Sequence, residues 1–180
     1  PLSNLDAKLR EETRKELRTF LTELAITAVY VTHDRVEALA LSDSIAVMRS
    51  GRIIEQGSPR KIYFDADHRF VADFIGRANL IPARVVRQDD AATVVESPLG
   101  TISCQKRAFA VGDEATLCIR PEFIHVVPGE GVGGANTVRG RVDSLVFVGE
   151  AFEMELTAGG EHLLAKVDAD PRLREGDAMH

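Results

Sequence analysis

A chain of 180 residues with 44% apolar and 28% charged content is long enough for one ordinary folded domain or two small ones, and such a composition excludes disorder as its default state. Its 28 acidic and 22 basic residues leave a net charge of −6, and aromatic residues make up only 6% with no Trp. Neither a phosphate-neutralising surface nor a set of base-stacking platforms is supplied, so nucleic acid is not an expected partner. No apolar run approaches the roughly 18–20 residues of a membrane span, and the first residues, beginning at Pro1, lack a charged-then-apolar signal pattern, so the chain itself is expected to be cytosolic.

The first predicted element is an amphipathic helix from Asp6. Leu9, Leu17, Phe20, Leu21 and Leu24 recur at steps of three and four, charged residues fill the other face, and Asp6 is a candidate N-cap. Glu11 and Lys15 stand four apart in the favourable order for an ion pair. Residues 28–32, Ala-Val-Tyr-Val-Thr, have no polar alternation and predict a strand buried on both faces, as in a parallel sheet. That strand ends at His33-Asp34, and ligands of open α/β sheets bind at strand carboxyl ends, which singles out His33. A short helix over 35–41 follows.

Residues 44–48 and 52–56 flank Arg49-Ser50-Gly51 and predict a hairpin, with Gly51 supplying a positive φ. Ser58-Pro59 is a helix start, with Ser58 as N-cap and Pro59 at the first helical position. Helices are expected over 60–64 and 69–75, the second stopped by Gly76.

Helical periodicity disappears after Asn79, which places a domain boundary near 77–82. Short β-rich runs follow at 80–86, 93–96, 101–105, 115–127, 138–148, 152–156 and 163–167, a spacing that predicts a small antiparallel barrel or sandwich. The Gly-Asp turn at 176–177 calls for one more strand, so a closing strand is expected to be missing at 178–180. Residues 129–134, rich in glycine, lack the following Lys-Ser/Thr of a phosphate cradle and read as a loop. Cys104 and Cys118 lie in apolar runs and are expected to be reduced, packed thiols. His68, His125, His162 and His180 have no spacing that suggests a metal site, and none is expected.

Two elements close to the N-terminus carry a family resemblance. Pro1-Leu2-Ser3-Asn4-Leu5-Asp6 resembles the D-loop of ABC ATPases, and Tyr30-Val31-Thr32-His33-Asp34 with Glu37-Ala38 resembles their switch-histidine loop, at the family's separation of one helix and one turn. Gly51-Arg52-Ile53, Gln56-Gly57-Ser58-Pro59 and residues 70–76 continue the likeness to the end of an importer nucleotide-binding domain. Ala78-Asn79-Leu80-Ile81, Ile119-Arg120-Pro121-Glu122, Val148-Gly149-Glu150 and Gly176-Asp177 resemble the TOBE-type regulatory domain of importer ATPases for sugars, polyamines and iron(III). Two departures are Arg35, where the family often has Gln, and the turn Ala25-Ile26-Thr27, which lacks the usual Gly.

The fold this implies is an α/β C-terminal remnant of a P-loop ABC ATPase domain over 1–76, followed by an all-β OB-like (TOBE) barrel over 77–180. By the same resemblance His33 contacts the γ-phosphate of ATP, Asp6 with Ser3 and Asn4 communicate across the ATP-sandwiched dimer, and Arg120, Pro121, Glu122 and Gly149 mark the regulatory domain. The chain has no GxxxxGK[ST] loop, LSGGQ-like signature or apolar strand ending in Asp-Glu, all of which precede the D-loop in the family. The implied cofactors, ATP and Mg²⁺, therefore belong to a full-length parent, and none is expected for these residues alone. The implied partners are a second ATP-binding subunit, transmembrane permease subunits and, indirectly, a solute-binding protein, at the cytoplasmic face of a membrane. A free-standing β-barrel that binds a small oxyanion is the alternative.

Overall fold

In a computed structural model, residues 7–127, 129 and 133–180 are described, and the chain divides into two compact units, Pro1–Gly76 and Arg77–His180. The expected N-cap Asp6 lies outside the described residues. In the first unit α1 (Ala7–Leu24) bears the Glu11–Lys15 ion pair at 2.7 Å. Its apolar stripe is not sealed, for Leu9, Phe20 and Leu24 are each more than two-fifths exposed. The chain leaves this helix through Ala25, whose φ of +49° is the left-handed conformation that helix ends reserve for glycine.

Residues 28–32 are the main departure from the sequence reading. They form no ladder with any described residue, and Val29 and Val31 are 91% and 92% exposed. A strand is defined by its hydrogen-bonded neighbour, and an apolar run with none beside it has no sheet to be buried in. α2 (Arg35–Leu41) follows; at its C-terminus Arg18 of α1 donates to the Leu41 carbonyl at 2.6 Å and pairs with Asp43 at 2.7 Å, placing a cation at the negative end of the helix.

The hairpin β1 (Ile45–Arg49) and β2 (Arg52–Gly57) turns through Ser50 and Gly51, both at positive φ, the two-residue geometry whose twist matches the strands. α3 (Pro59–Phe64) is capped by the Ser58 side chain, and α4 (Arg69–Ile75) by the His68 ring, whose Nδ1 accepts from the Phe70 N–H at 3.1 Å. Gly76 ends α4 with extended backbone, φ −171°, so no left-handed cap stops it. Ile45, Val47, Ile62, Val71 and Ile75 form the core of this unit. Beside it the buried Glu55 carboxylate accepts from Lys61 Nζ at 2.6 Å and from the backbone N–H groups of Asp67 and His68, so one side chain of β2 fixes the turn between α3 and α4.

The second unit is two antiparallel sheets on one core. One runs β5 (Gly100–Gln105), β4 (Ala92–Ser97), β3 (Asn79–Gln88), β6 (Glu114–Ile119); the other runs β10 (Ala178–Met179), β7 (Gly140–Phe147), β8 (Ala151–Ala158), β9 (Glu161–Asp168). This layout fits an OB-like fold. Ile81, Val85, Val95 and Ile102 of the first sheet meet Val142, Met154, Leu156 and Leu163 of the second. The run expected over 115–127 breaks at Arg120, because Pro121 has no N–H for a ladder and opens a 3₁₀ turn, Pro121–Phe123. The strand expected to be missing is present in short form, since β10 pairs with β7 and His180 exchanges both backbone hydrogen bonds with Val127.

Two contacts stitch the sheets together. Asn79, 6% exposed, donates to the carbonyls of Leu164 at 2.8 Å and Ile119 at 3.1 Å and accepts from the Leu164 N–H at 2.7 Å, joining β3 to β6 and β9. At the β8–β9 turn Gly159 has φ +56°, and a Cβ there would stand 2.1 Å from the Pro98 carbonyl oxygen, so the turns of the two sheets touch only because the side chain is absent. Asn79→Leu leaves the N–H and C=O of Leu164 without their side-chain partner inside the unit and is expected to cost about 3 kcal/mol in urea unfolding, because each orphaned buried group costs about 1–3 kcal/mol; a loss below about 1 kcal/mol would contradict this role.

Candidate functional site

The segment around His33 is built from the capping chemistry of α2. Asp34, in extended conformation with ψ +114°, accepts from the N–H groups of Val36 and Glu37 at 2.8 and 3.1 Å and so satisfies the first turn of the helix. Glu37, three residues on, is only 5% exposed. Its Oε2 accepts from the hydroxyls of Thr32 at 2.7 Å and Tyr30 at 3.0 Å, while the Thr32 oxygen accepts the Asp34 N–H at 2.9 Å.

His33 lies inside this lattice with its side chain outside it. The imidazole is exposed and makes no hydrogen bond or ion pair with any described residue. Both flanking residues are held while the ring stays available, an arrangement suited to an external acceptor such as a phosphate oxygen or a water. An imidazole can donate from one nitrogen while accepting on the other. Ser3, Asn4 and Asp6 lie outside the described residues, and their relation to His33 stays an expectation.

Sequence reasoning located His33 by its flanks but missed the part played by Tyr30, Thr32 and Glu37. A Glu at the third position of a helix reads as a partner for the helix dipole or as half of a capping box with the cap residue. The signal that could have revealed more is the pair of hydroxyl residues at 30 and 32 ahead of it.

The residues expected to mark the second unit do not form one site. Arg120 is buried and donates to the Arg77 carbonyl at 3.2 Å, which ties the start of β3 to the end of β6. Gly149 occupies the β7–β8 turn at φ +94°, a conformation that accounts for a glycine without a ligand. Pro121 and Glu122 do line a shallow cleft of about 250 Å³ over β8 and β9, together with Arg77, Glu153, Glu155 and Lys166. Its charges are engaged within the chain: Arg77 pairs with Glu153 at 2.6 Å, Lys166 with Glu150 at 3.3 Å, and Glu155 accepts from the Ser144 hydroxyl. With Glu122, Glu153 and Glu155 around it, the cleft does not favour an oxyanion. Of the two thiols expected to be packed, Cys104 is half-buried while Cys118 lies exposed on β6, whose alternation turns it outward; partial desolvation pushes both thiols up, away from the reactive thiolate. Among the described residues no three His, Cys, Asp or Glu side chains stand close enough to hold a metal ion.

Residues 117–180 match the family described as TOBE domain. The chain is similar to the spermidine/putrescine import ATP-binding protein PotA of Pseudomonas fluorescens, 37% identical over 99% of this chain and 49% of the relative. Similarity to PotA of Acetivibrio thermocellus is 43% over 85% of this chain and 41% of the relative, and to the Fe(3+) ions import ATP-binding protein FbpC of Brucella melitensis 40% over 87% and 43%. The chain thus spans about half the length of the curated relatives it matches, or a little less.

Desolvation first, and the bond to Glu37 second, push the Tyr30 phenol above its ordinary value near 10. In a Tyr63→Phe background, absorbance at 295 nm is expected to show tyrosinate forming later than in a free tyrosine. Glu37→Gln is expected to move the midpoint down without restoring it, since the larger cause remains; an unmoved midpoint would show that Glu37 does not reach the hydroxyl in solution.

Proposed function

We propose that this chain, a relative of the ATP-binding subunits of ABC importers that carries a TOBE domain at 117–180, is the C-terminal part of such a subunit. Residues 1–76 then end its nucleotide-binding domain, with Ser3, Asn4 and Asp6 in the D-loop and His33 as the switch histidine, and residues 77–180 are its regulatory domain. The observation that carries the reading is the His33 loop: capped and cross-linked on both sides, with the ring exposed and unbonded to the described residues.

Hydrolysis of ATP is catalysed mainly by positioning and by stabilising charge on the γ-phosphoryl group. His33 contributes one donor at the γ-phosphate and an acceptor for the attacking water. Its approach is set by the backbone of residues 32–34, which the Asp34 cap and the Thr32 hydroxyl hold. The phosphate loop, signature and catalytic carboxylate come from parts of the subunit that these 180 residues do not include, and no step is assigned to a metal ion. Residues 28–32 take their place in a sheet only when those parts are present.

The natural assembly is a pair of ATP-binding subunits with transmembrane permease subunits and, at a distance, a solute-binding protein. The subunit sits peripherally at the cytoplasmic face; no described helix is long and apolar enough to cross a membrane. The solute is not assigned, because relatives named for polyamines and for Fe(3+) match this chain at 43% and 40% identity.

In a full-length subunit containing this segment, His33→Ala is expected to lower the kcat for ATP about 100-fold, the scale of losing one preorganised donor at a developing charge; a kcat within about threefold of wild type would overturn the assignment. The 180-residue chain alone is expected to give no saturable heat with Mg-ATP in titration calorimetry, and a micromolar dissociation constant would show a nucleotide site that does not need the phosphate loop.

A further inference from the structure

The hydrogen bonds around Glu37 have a direction. A threonine hydroxyl has one proton and two lone pairs. Having given its proton to Glu37 Oε2 at 2.7 Å, Thr32 Oγ1 can only accept from the Asp34 N–H at 2.9 Å. That N–H belongs to the peptide plane immediately after His33, so the plane is tied through Thr32 to a carboxylate anchored in α2. In an ordinary capping box the glutamate at this position would take the cap residue's N–H itself. Here a side chain from the other side of His33 is interposed, and the backbone on both sides of the histidine closes onto one oxygen. Tyr30 donates to the same oxygen at 3.0 Å but holds no part of the peptide at 33–34.

We infer that Glu37 is a positioning residue for His33, acting through the Thr32 hydroxyl: it sets the direction in which the imidazole leaves the backbone and leaves the ring itself unbonded. This deepens the ATPase reading above and rests on it for its purpose, whereas the lock itself does not need nucleotide. Glu37→Gln keeps an acceptor oxygen and retains the lock; Glu37→Ala and Thr32→Val remove it from either end; Tyr30→Phe removes a bond to the same carboxylate and spares it.

Amide exchange of the 180-residue chain tests the lock. Glu37→Ala and Thr32→Val are expected to speed exchange at Asp34 about tenfold, the loss of one net hydrogen bond, while the core amides of Val47 and Val71 stay within about twofold. Glu37→Gln and Tyr30→Phe are expected to leave Asp34 as in wild type. Wild-type exchange at Asp34 in Glu37→Ala, or equal acceleration at Asp34, Val47 and Val71, overturns the inference in favour of a merely structural glutamate. Should Glu37→Ala not fold, Thr32→Val carries the same test. In the full-length subunit Glu37→Ala is expected to lower kcat about tenfold with the KM for ATP unchanged and to be rescued by Glu37→Gln. A His33→Ala defect alongside a wild-type kcat for Glu37→Ala sinks the inference and leaves the ATPase reading standing. A locked loop with an active His33→Ala does the reverse.

Discussion

A polar group taken out of water must find a partner or cost about 1–3 kcal/mol, and that constraint decides where this chain folds back on itself. Glu37 draws in the hydroxyls of Tyr30 and Thr32, Glu55 gathers Lys61 with two backbone N–H groups, and Asn79 reaches from one sheet to two carbonyls and an N–H. Apolar burial supplies the larger share of the stabilisation, as in any small core. It is indifferent to small shifts, however, and these three side chains are not: each fits one arrangement of the backbone around it. Within its own unit each converts a collapsed core into a defined geometry, and Glu37 does so beside the residue with the strongest functional context.

Much of the local structure was legible in the sequence because its causes are local. Ser58-Pro59 starts α3, Ser50-Gly51 turns the first hairpin, and alternating apolar residues mark the strands of the second unit. Residues 28–32 were not legible in this way. Their composition describes a strand buried on both faces, but burial of that kind is a property of neighbours, and among the described residues none pairs with them. The break at Arg120 was missed because the apolar pattern runs through it, although Pro121 removes the ladder donor. Asn79 gave no warning that it would join the sheets, since a lone amide at the head of a strand reads as a turn residue until the second sheet is in place.

The candidate site divides in the same way. His33 is conspicuous because Asp34, Glu37 and Ala38 surround it in a known pattern, and the cap that Asp34 makes follows from residue type alone. The route from Glu37 to the Asp34 peptide through Thr32 depends on rotamers and on a backbone path that no spacing rule encodes. In the TOBE domain the resembling residues resolve mostly into structural duties, Arg120 at a strand junction and Gly149 in a turn, and the adjoining cleft has its charges largely engaged within the chain. On the proposed reading the first unit acts through one exposed ring on a fixed stem.

The measurement that bears most directly on that account is a high-resolution structure of a full-length subunit containing this segment, bound to a non-hydrolysable ATP analogue. The account predicts a His33 ring nitrogen within hydrogen-bond distance of a γ-phosphate oxygen, about 3 Å, with the Thr32 hydroxyl still on Glu37. A bound γ-phosphate with the His33 ring turned away from it, or contacted only after the Thr32–Glu37 bond has broken, would contradict it.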